Sequence, residues 1–175
     1  DRIARRDGLL EVECAGADNL RAHRVVVGIG RSGNFRKLGV PGEELDKVSN
    51  RLHDPKDYES KHVLVVGGGD SALEAAHSIA DQPGTTVTLS YRSGSFSRAK
   101  PKNRDKVEQM SAAGQLQVLM SSNVVEIRDD AVAIDVGGET RLLRNDGIII
   151  CAGGILPTGF LKEVGVEVET KYGTA

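Results

Sequence analysis

The chain has 175 residues, 39% of them hydrophobic, a formal net charge of −2 and a pI near 6.1, which allows a real core in one or two small domains. Basic residues are not in surplus, which argues against general nucleic-acid binding, and no run of about 18 apolar residues is available as a membrane span. The opening Asp1-Arg2-Ile3-Ala4-Arg5-Arg6 has neither an initiator methionine nor a signal-like segment, so it reads as a piece cut from something longer.

In chain order, residues 8–30 predict a hairpin, with strands over 9–14 and 22–27 about a turn at Gly16-Ala17-Asp18-Asn19. The second strand runs into Gly28-Ile29-Gly30-Arg31-Ser32-Gly33, a G-x-G-x-x-G pattern. Gly39, Pro41 and Gly42 follow too soon for a helix, however, so no helix N-terminus can receive a phosphate there. Residues 43–60 form a connection. Cys14 and Cys151, the only cysteines, lie far apart in apolar strand patterns. They read as buried structural thiols in a reducing, cytoplasmic compartment. His23, His53, His62 and His77 show no ligand spacing, and no metal site is expected.

Residues 61–80, KHVLVVGGGDSALEAAHSIA, organise the rest. Val63, Leu64, Val65 and Val66 predict a buried parallel strand. From Ser71, the apolar Ala72, Leu73, Ala76, Ile79 and Ala80 take one helical face, with Glu74, His77, Ser78 and Asp81 on the other. Gly67, Gly68 and Gly69 form the turn between them, within the pattern Gly67-x-Gly69-x-x-Ala72. Gly67 permits the sharp exit from the strand, Gly69 leaves the backbone bare for a pyrophosphate, and Ala72 lets helix and strand approach closely. The first helical amides and the helix dipole favour an anion. Asp70 and Ser71 are candidate helix caps, and the Ser71 hydroxyl can equally donate to a phosphate oxygen.

Residues 85–89 predict the next strand, ending at Ser90 and Tyr91. A site selecting NAD places an acid here to hold the ribose 2′-hydroxyl. None occurs between Asp81 and Asp105; Arg92, Arg98, Lys100, Lys102 and Arg104 appear instead, interleaved with Ser93, Ser95 and Ser97. Arginine and serine suit a 2′-phosphate, since each charge-assisted hydrogen bond contributes about 1.5 to 3 kcal/mol, enough for a tenfold preference for NADPH. A solvated basic loop is the alternative.

Residues 102–113 predict a helix with Val107, Met110 and Ala113 three apart and Gly114 as its stop. A strand follows over 116–120. Segments 124–128, 131–136 and 139–143 alternate about Asp129-Asp130 and Gly137-Gly138, as in a three-stranded β-meander. Residues 146–151, DGIIIC, predict a final buried strand, which empties into Ala152-Gly153-Gly154.

HVLVVGGGDSALEAA followed by VTLSYRSGSFSRA resembles the NADPH-binding domain of thioredoxin-reductase-like flavoproteins, whose second strand ends in a His-Arg-Arg-x-x-Phe-Arg pattern. Arg92 matches the first arginine, and Phe96 with Arg98 the Phe-Arg end with one residue inserted; Tyr91 stands for the histidine and Ser93 for the second arginine. RVVVGIGRSGNFRKLGVPGEE is similar to the segment by which such proteins leave the FAD domain. On this resemblance Gly28 and Gly30 run close to the flavin, and the loop with Gly153 returns toward it. The family places an acid at Glu74, on the nicotinamide side. Thioredoxin reductases proper carry a redox cysteine pair near residues 49–55; this stretch has none, which excludes dithiol reduction by that route.

The reading is an α/β, Rossmann-like FAD/NAD(P)-binding domain: a parallel sheet with helices and a β-meander, flanked by partial FAD-domain segments. Residues 1–42 form the FAD-domain hairpin and crossover, 43–152 the NADPH-binding domain and 153–175 the return segment. The resemblance implies a parent flavoprotein, possessing FAD and open to homodimer formation, that passes hydride from NADPH to FAD and electrons onward to an unknown acceptor. The partners of this piece are then the rest of the FAD domain and that acceptor. By itself it is expected to bind NADPH, carry no FAD and not turn over, and no residue stands out as a general acid, base or nucleophile. Two alternatives remain: a nucleotide-sensing regulatory module without redox chemistry, and a simple NADP-dependent dehydrogenase.

Overall fold

The computed structural model describes residues 2–28, 35–155 and 157–169, and the chain divides into two units, Asp1–Asn34 with Gly154–Ala175, and Phe35–Gly153. In the first unit, β1 (Arg2–Arg6), β2 (Leu9–Glu13) and β3 (Leu20–Ala22) form an antiparallel sheet in that order. Asp7 and Gly8 have φ of 49° and 78° and join Arg6 to its register partner Leu9, the two-residue turn that an Asp-Gly pair favours. The expected strand over 22–27 is therefore displaced. Pairing with β2 ends at Ala22, and Val26 is 94% exposed, because no neighbouring strand among the described residues supplies a ladder beyond that point.

The second unit is built on a parallel sheet. β4 (Val48–Ser49), β5 (His62–Val66), β6 (Thr86–Tyr91), β7 (Gln117–Met120) and, after the meander, a late strand at Gly147–Ile150 lie in the order β4, late strand, β5, β6, β7, all parallel. Helix α1 (Asp70–Ala80) connects β5 to β6, and α2 (Pro101–Ala112) connects β6 to β7. The chain then forms the antiparallel meander β8 (Ser122–Ile127), β9 (Ala131–Val136) and β10 (Glu139–Arg144), and returns as the late strand, β11. A short helix, α3 (Thr158–Glu163), belongs to the first unit.

The apolar run in β5 is continuous because it is buried on both faces. Val63 and Val65 pack with Leu73, Ala76 and Ile79 of α1 and Val107 and Met110 of α2. Leu64, between them, packs with Ile134 of β9 and with Ile148 and Ile150. Strand alternation thus sends successive side chains into two cores, one under the helices and one under the meander. Five of the six apolar α1 residues, Ala72, Leu73, Ala75, Ala76 and Ile79, are buried, and Ala80 at its end is partly buried. Among the described residues no helix is long and apolar enough to cross a membrane.

Both cysteines are free and only half-buried, contrary to the sequence expectation. Cys14 stands just past the end of β2 and Cys151 just past the end of β11. Each therefore sits at a strand mouth, and the Cys151 backbone N–H still donates to the Val66 carbonyl at 2.7 Å.

Candidate functional site

The sheet order makes β5 the switch point: from it the chain proceeds to β6 and β7 on one side and returns to β11 on the other. Beyond the carboxyl ends of such strands a doubly wound sheet opens a crevice. Here it is a cleft of about 360 Å³, lined by Gly67, Gly68 and Gly69 after β5, Ser90, Tyr91 and Arg92 at the end of β6, Arg98, and Cys151, Ala152 and Gly153 after β11. All of its lining residues lie in the second unit.

The three glycines meet different surroundings. Gly67 has φ of 146°, and a Cβ there would stand 2.6 Å from the carbonyl oxygen of Cys151 and 3.0 Å from the Ala72 methyl. This strained conformation belongs to glycine, and the closeness to Ala72, which is fully buried, is the strand–helix approach that the motif predicts. A Cβ at Gly68 would overlap the phenol ring of Tyr91. At Gly69 a Cβ would meet nothing within 4 Å, so the open backbone lies at the residue that caps α1.

Asp70 and Ser71 do not cap the helix. The N-cap is Gly69, with no side-chain hydrogen bond. The amides at the head of α1 consequently have no side-chain acceptor from their own turn. Ser71 is exposed. The Asp70 carboxylate turns toward α2, where Oδ1 accepts from the Lys100 backbone N–H at 2.8 Å and from Asn103 Nδ2 at 2.8 Å. These bonds, the backbone one first, hold its carboxyl below the usual carboxylate range. Glu74 Oε1 accepts from the same Asn103 amide group at 2.9 Å. Asp70, Ser71, Ala72, Glu74 and Ser93 do not line the cleft.

The segment after β6 is anchored by aromatic packing. Tyr91 and Phe96 stack at 5.6 Å between ring centroids and 19° between planes, and Phe96 is only 5% exposed. Arg92, Ser93 and Arg98 are exposed. Arg92 and Arg98 line the cleft, and neither enters a hydrogen bond or ion pair among the described residues.

Sequence reasoning missed two cations. Arg36 and Lys37 line the same cleft, and the Arg36 backbone N–H donates to the Gly153 carbonyl at 3.1 Å. Their only sequence signal was a basic pair in a segment already assigned to the crossover. The cleft thus gathers Arg36, Lys37, Arg92 and Arg98, while no Asp or Glu lines it among the described residues. Ser90 was also missed. Its buried hydroxyl pairs at 2.8 Å with that of Ser122, which itself donates to the Leu119 carbonyl at 2.7 Å. Ser122 having spent its proton, Ser90 is the donor and keeps its lone pairs. The Cys151 thiol, pushed up to about 11 by burial, is protonated at neutral pH. Gly28 belongs to the first unit, and Gly30 lies outside the described residues.

A parallel sheet with helices on one face, a meander on the other and a glycine turn at its switch point defines a Rossmann-like FAD/NAD(P)-binding fold. The profile of the pyridine nucleotide-disulphide oxidoreductase family matches residues 1–174, and the chain belongs to that family. It is 33% identical over 154 residues to a ferredoxin–NADP reductase of Ignicoccus hospitalis, covering 84% of this chain and 48% of that protein. It is 29% identical over 138 residues to the bacilliredoxin reductase Bdr of Bacillus subtilis, covering 78% of this chain and 42% of that protein. Among solved structures, the bacillithiol disulfide reductase Bdr of Bacillus cereus superposes with a TM-score of 0.87 at 26% identity, over 97% of this chain and 53% of that one. The chain spans about half the length of the curated relatives it matches.

Proposed function

We propose that the cleft binds NADPH, and that the chain is the NADPH-binding portion of a flavin-dependent oxidoreductase that passes hydride from NADPH to FAD and electrons onward to an acceptor outside this chain. The observation that carries this reading is the make-up of one cleft: an open glycine backbone at a helix N-terminus together with, among the described residues, four cations and no carboxylate. Gly67, Gly68 and Gly69 with the first amides of α1 take the diphosphate. Arg92 and Arg98, having no partner within the described chain, take the 2′-phosphate, with Ser93 beside them and Tyr91 at the mouth. The Ignicoccus hospitalis relative is a ferredoxin–NADP reductase, which supports this choice of coenzyme.

When bound, NADPH supplies a hydride, and its delivery needs no general acid or base from this chain. The chain's residues bind, orient and neutralise charge. Gly28 is assigned to the flavin side, with residues 1–34 and 154–175, whereas residues 35–42 and Gly153, which the crossover reading also placed there, belong to the unit that holds the cleft. A Cβ at either glycine would meet nothing within 4 Å, which fits a backbone open to close approach by a cofactor.

The test is a calorimetric titration of the purified chain with NADPH and with NADH. NADPH is expected to bind at least about tenfold more tightly, from one charge-assisted hydrogen bond to the 2′-phosphate. Equal affinities defeat the coenzyme assignment, and absence of binding defeats the site.

A further inference from the structure

The loop that carries Arg92 and Arg98 is tied down at three places. Its first anchor is the Tyr91–Phe96 stack. The second is a turn in which the Ala99 backbone N–H donates to the Phe96 carbonyl at 3.2 Å. Phe96 and Ala99 are both buried, whereas Ser97 and Arg98 between them are exposed, so Arg98 rides on a turn whose two ends are sunk in the core. The third anchor comes one residue later, where the Lys100 N–H reaches Asp70.

Asp70 stands at the head of α1, directly after the open Gly69, and Lys100 is the N-cap of α2 without any side-chain cap of its own. Pro101 follows and has no N–H to offer. The Asp70 carboxylate thus supplies, from another helix, the negative charge that the α2 N-terminus lacks. Asn103, 7% exposed, completes the joint by donating to both Asp70 and Glu74, one turn apart on α1. A free carboxylate beside Gly69 would repel a diphosphate. Bound to Lys100 and Asn103, it is drawn away toward α2.

We propose that Asp70 and Asn103 are positioning residues for coenzyme discrimination: together they latch the end of the arginine loop to the head of α1 and so hold Arg98 over the cleft. The inference rests on the reading of the cleft as an NADPH site. Neither residue lines the cleft, and the latch acts through Lys100 and the turn before it. Its consequence is that removing a carboxylate, which on charge alone should improve anion binding, instead weakens NADPH.

The experiment has two arms on the intact chain. In the first, Asp70→Ala is expected to weaken NADPH about tenfold by calorimetry and NADH less than about threefold. Asp70→Asn, which keeps an acceptor for the Lys100 N–H, should recover most of the loss. Asp70→Ala added to Arg98→Ala should cost little more, since both act on one contact. Tighter NADPH binding, equal losses for the two coenzymes, or additive losses would overturn the proposal. The second arm needs no coenzyme: amide hydrogen exchange at residues 98–100 should accelerate at least about tenfold in Asp70→Ala and in Asn103→Leu, with the exchange of β5 unchanged. Unaltered exchange at Lys100 overturns the latch even if NADPH binds. Faster exchange in a chain that binds neither coenzyme leaves the latch standing as a structural joint, overturns its part in discrimination and condemns the coenzyme assignment itself.

Discussion

The phenol ring of Tyr91 lies over the backbone of Gly68, in the space a Cβ would take, and the same ring stacks on Phe96. The middle glycine of the turn therefore makes room for a neighbouring side chain. The open backbone is one residue further on, at Gly69.

Gly68→Ala is expected to displace the Tyr91 ring at the expense of its stack on Phe96, lowering stability by about 0.5 to 1.5 kcal/mol. In a Tyr91→Ala background the same change should cost less than about 0.5 kcal/mol. Urea midpoints of the four proteins check this, and an equal cost in both backgrounds would show that the ring is not the obstacle.

Gly69→Val places a branched side chain where nothing stands within 4 Å. The fold should tolerate it, with a near-native circular dichroism spectrum and a stability loss near 1 kcal/mol from a poorer N-cap. Dinucleotide affinity should fall more than about tenfold, because the bulk occupies the approach to the α1 amides. Retained affinity would remove the diphosphate from this turn.

Arg92→Ala with Arg98→Ala deletes two of the four cleft cations. NADPH binding should weaken about a hundredfold or more and NADH binding less than about threefold, since each lost charge-assisted bond is worth about 1.5 to 3 kcal/mol. Equal losses by calorimetry would mean that these arginines meet a group both coenzymes share.

At the opposite end of the sheet, Asp146 Oδ2 accepts from the His62 backbone N–H at 2.8 Å and lies 3.0 Å from its ring Nδ1. The backbone bond, more than any other cause, holds the Asp146 carboxyl below its ordinary 3.8. A depressed pKa stabilises the fold above the unfolded value, and that stability disappears as pH falls through the native one. Asp146→Asn should therefore be less stable than the parent chain at pH 7, and the gap should narrow as pH drops below 3.8. Urea titrations at several pH values test it; a gap independent of pH would assign the loss to geometry rather than charge.

Much of the parallel unit was legible because its signals are local. The run from Val63 to Val66, the glycine turn and the face of α1 each lie within a few residues, and the strand over 131–136 is found where alternation placed it. The N-terminal strand was missed although its turn was written in Asp7-Gly8. The strand expected over 22–27 is found earlier, at Leu20–Ala22, because Val25, Val26 and Val27 have strand propensity but no ladder partner among the described residues beyond Ala22.

The site divides along the same line. Residue order alone determined that a bare turn would join a buried strand to a helix, and that basic rather than acidic groups would follow the next strand, because backbone freedom and charge are properties of the residues themselves. Only the tertiary structure decided which glycine is open, that Arg36 and Lys37 join Arg92 and Arg98, and that Asp70 turns to a partner thirty positions later. Those outcomes depend on strand register and helix packing, which bring together groups that no local pattern relates.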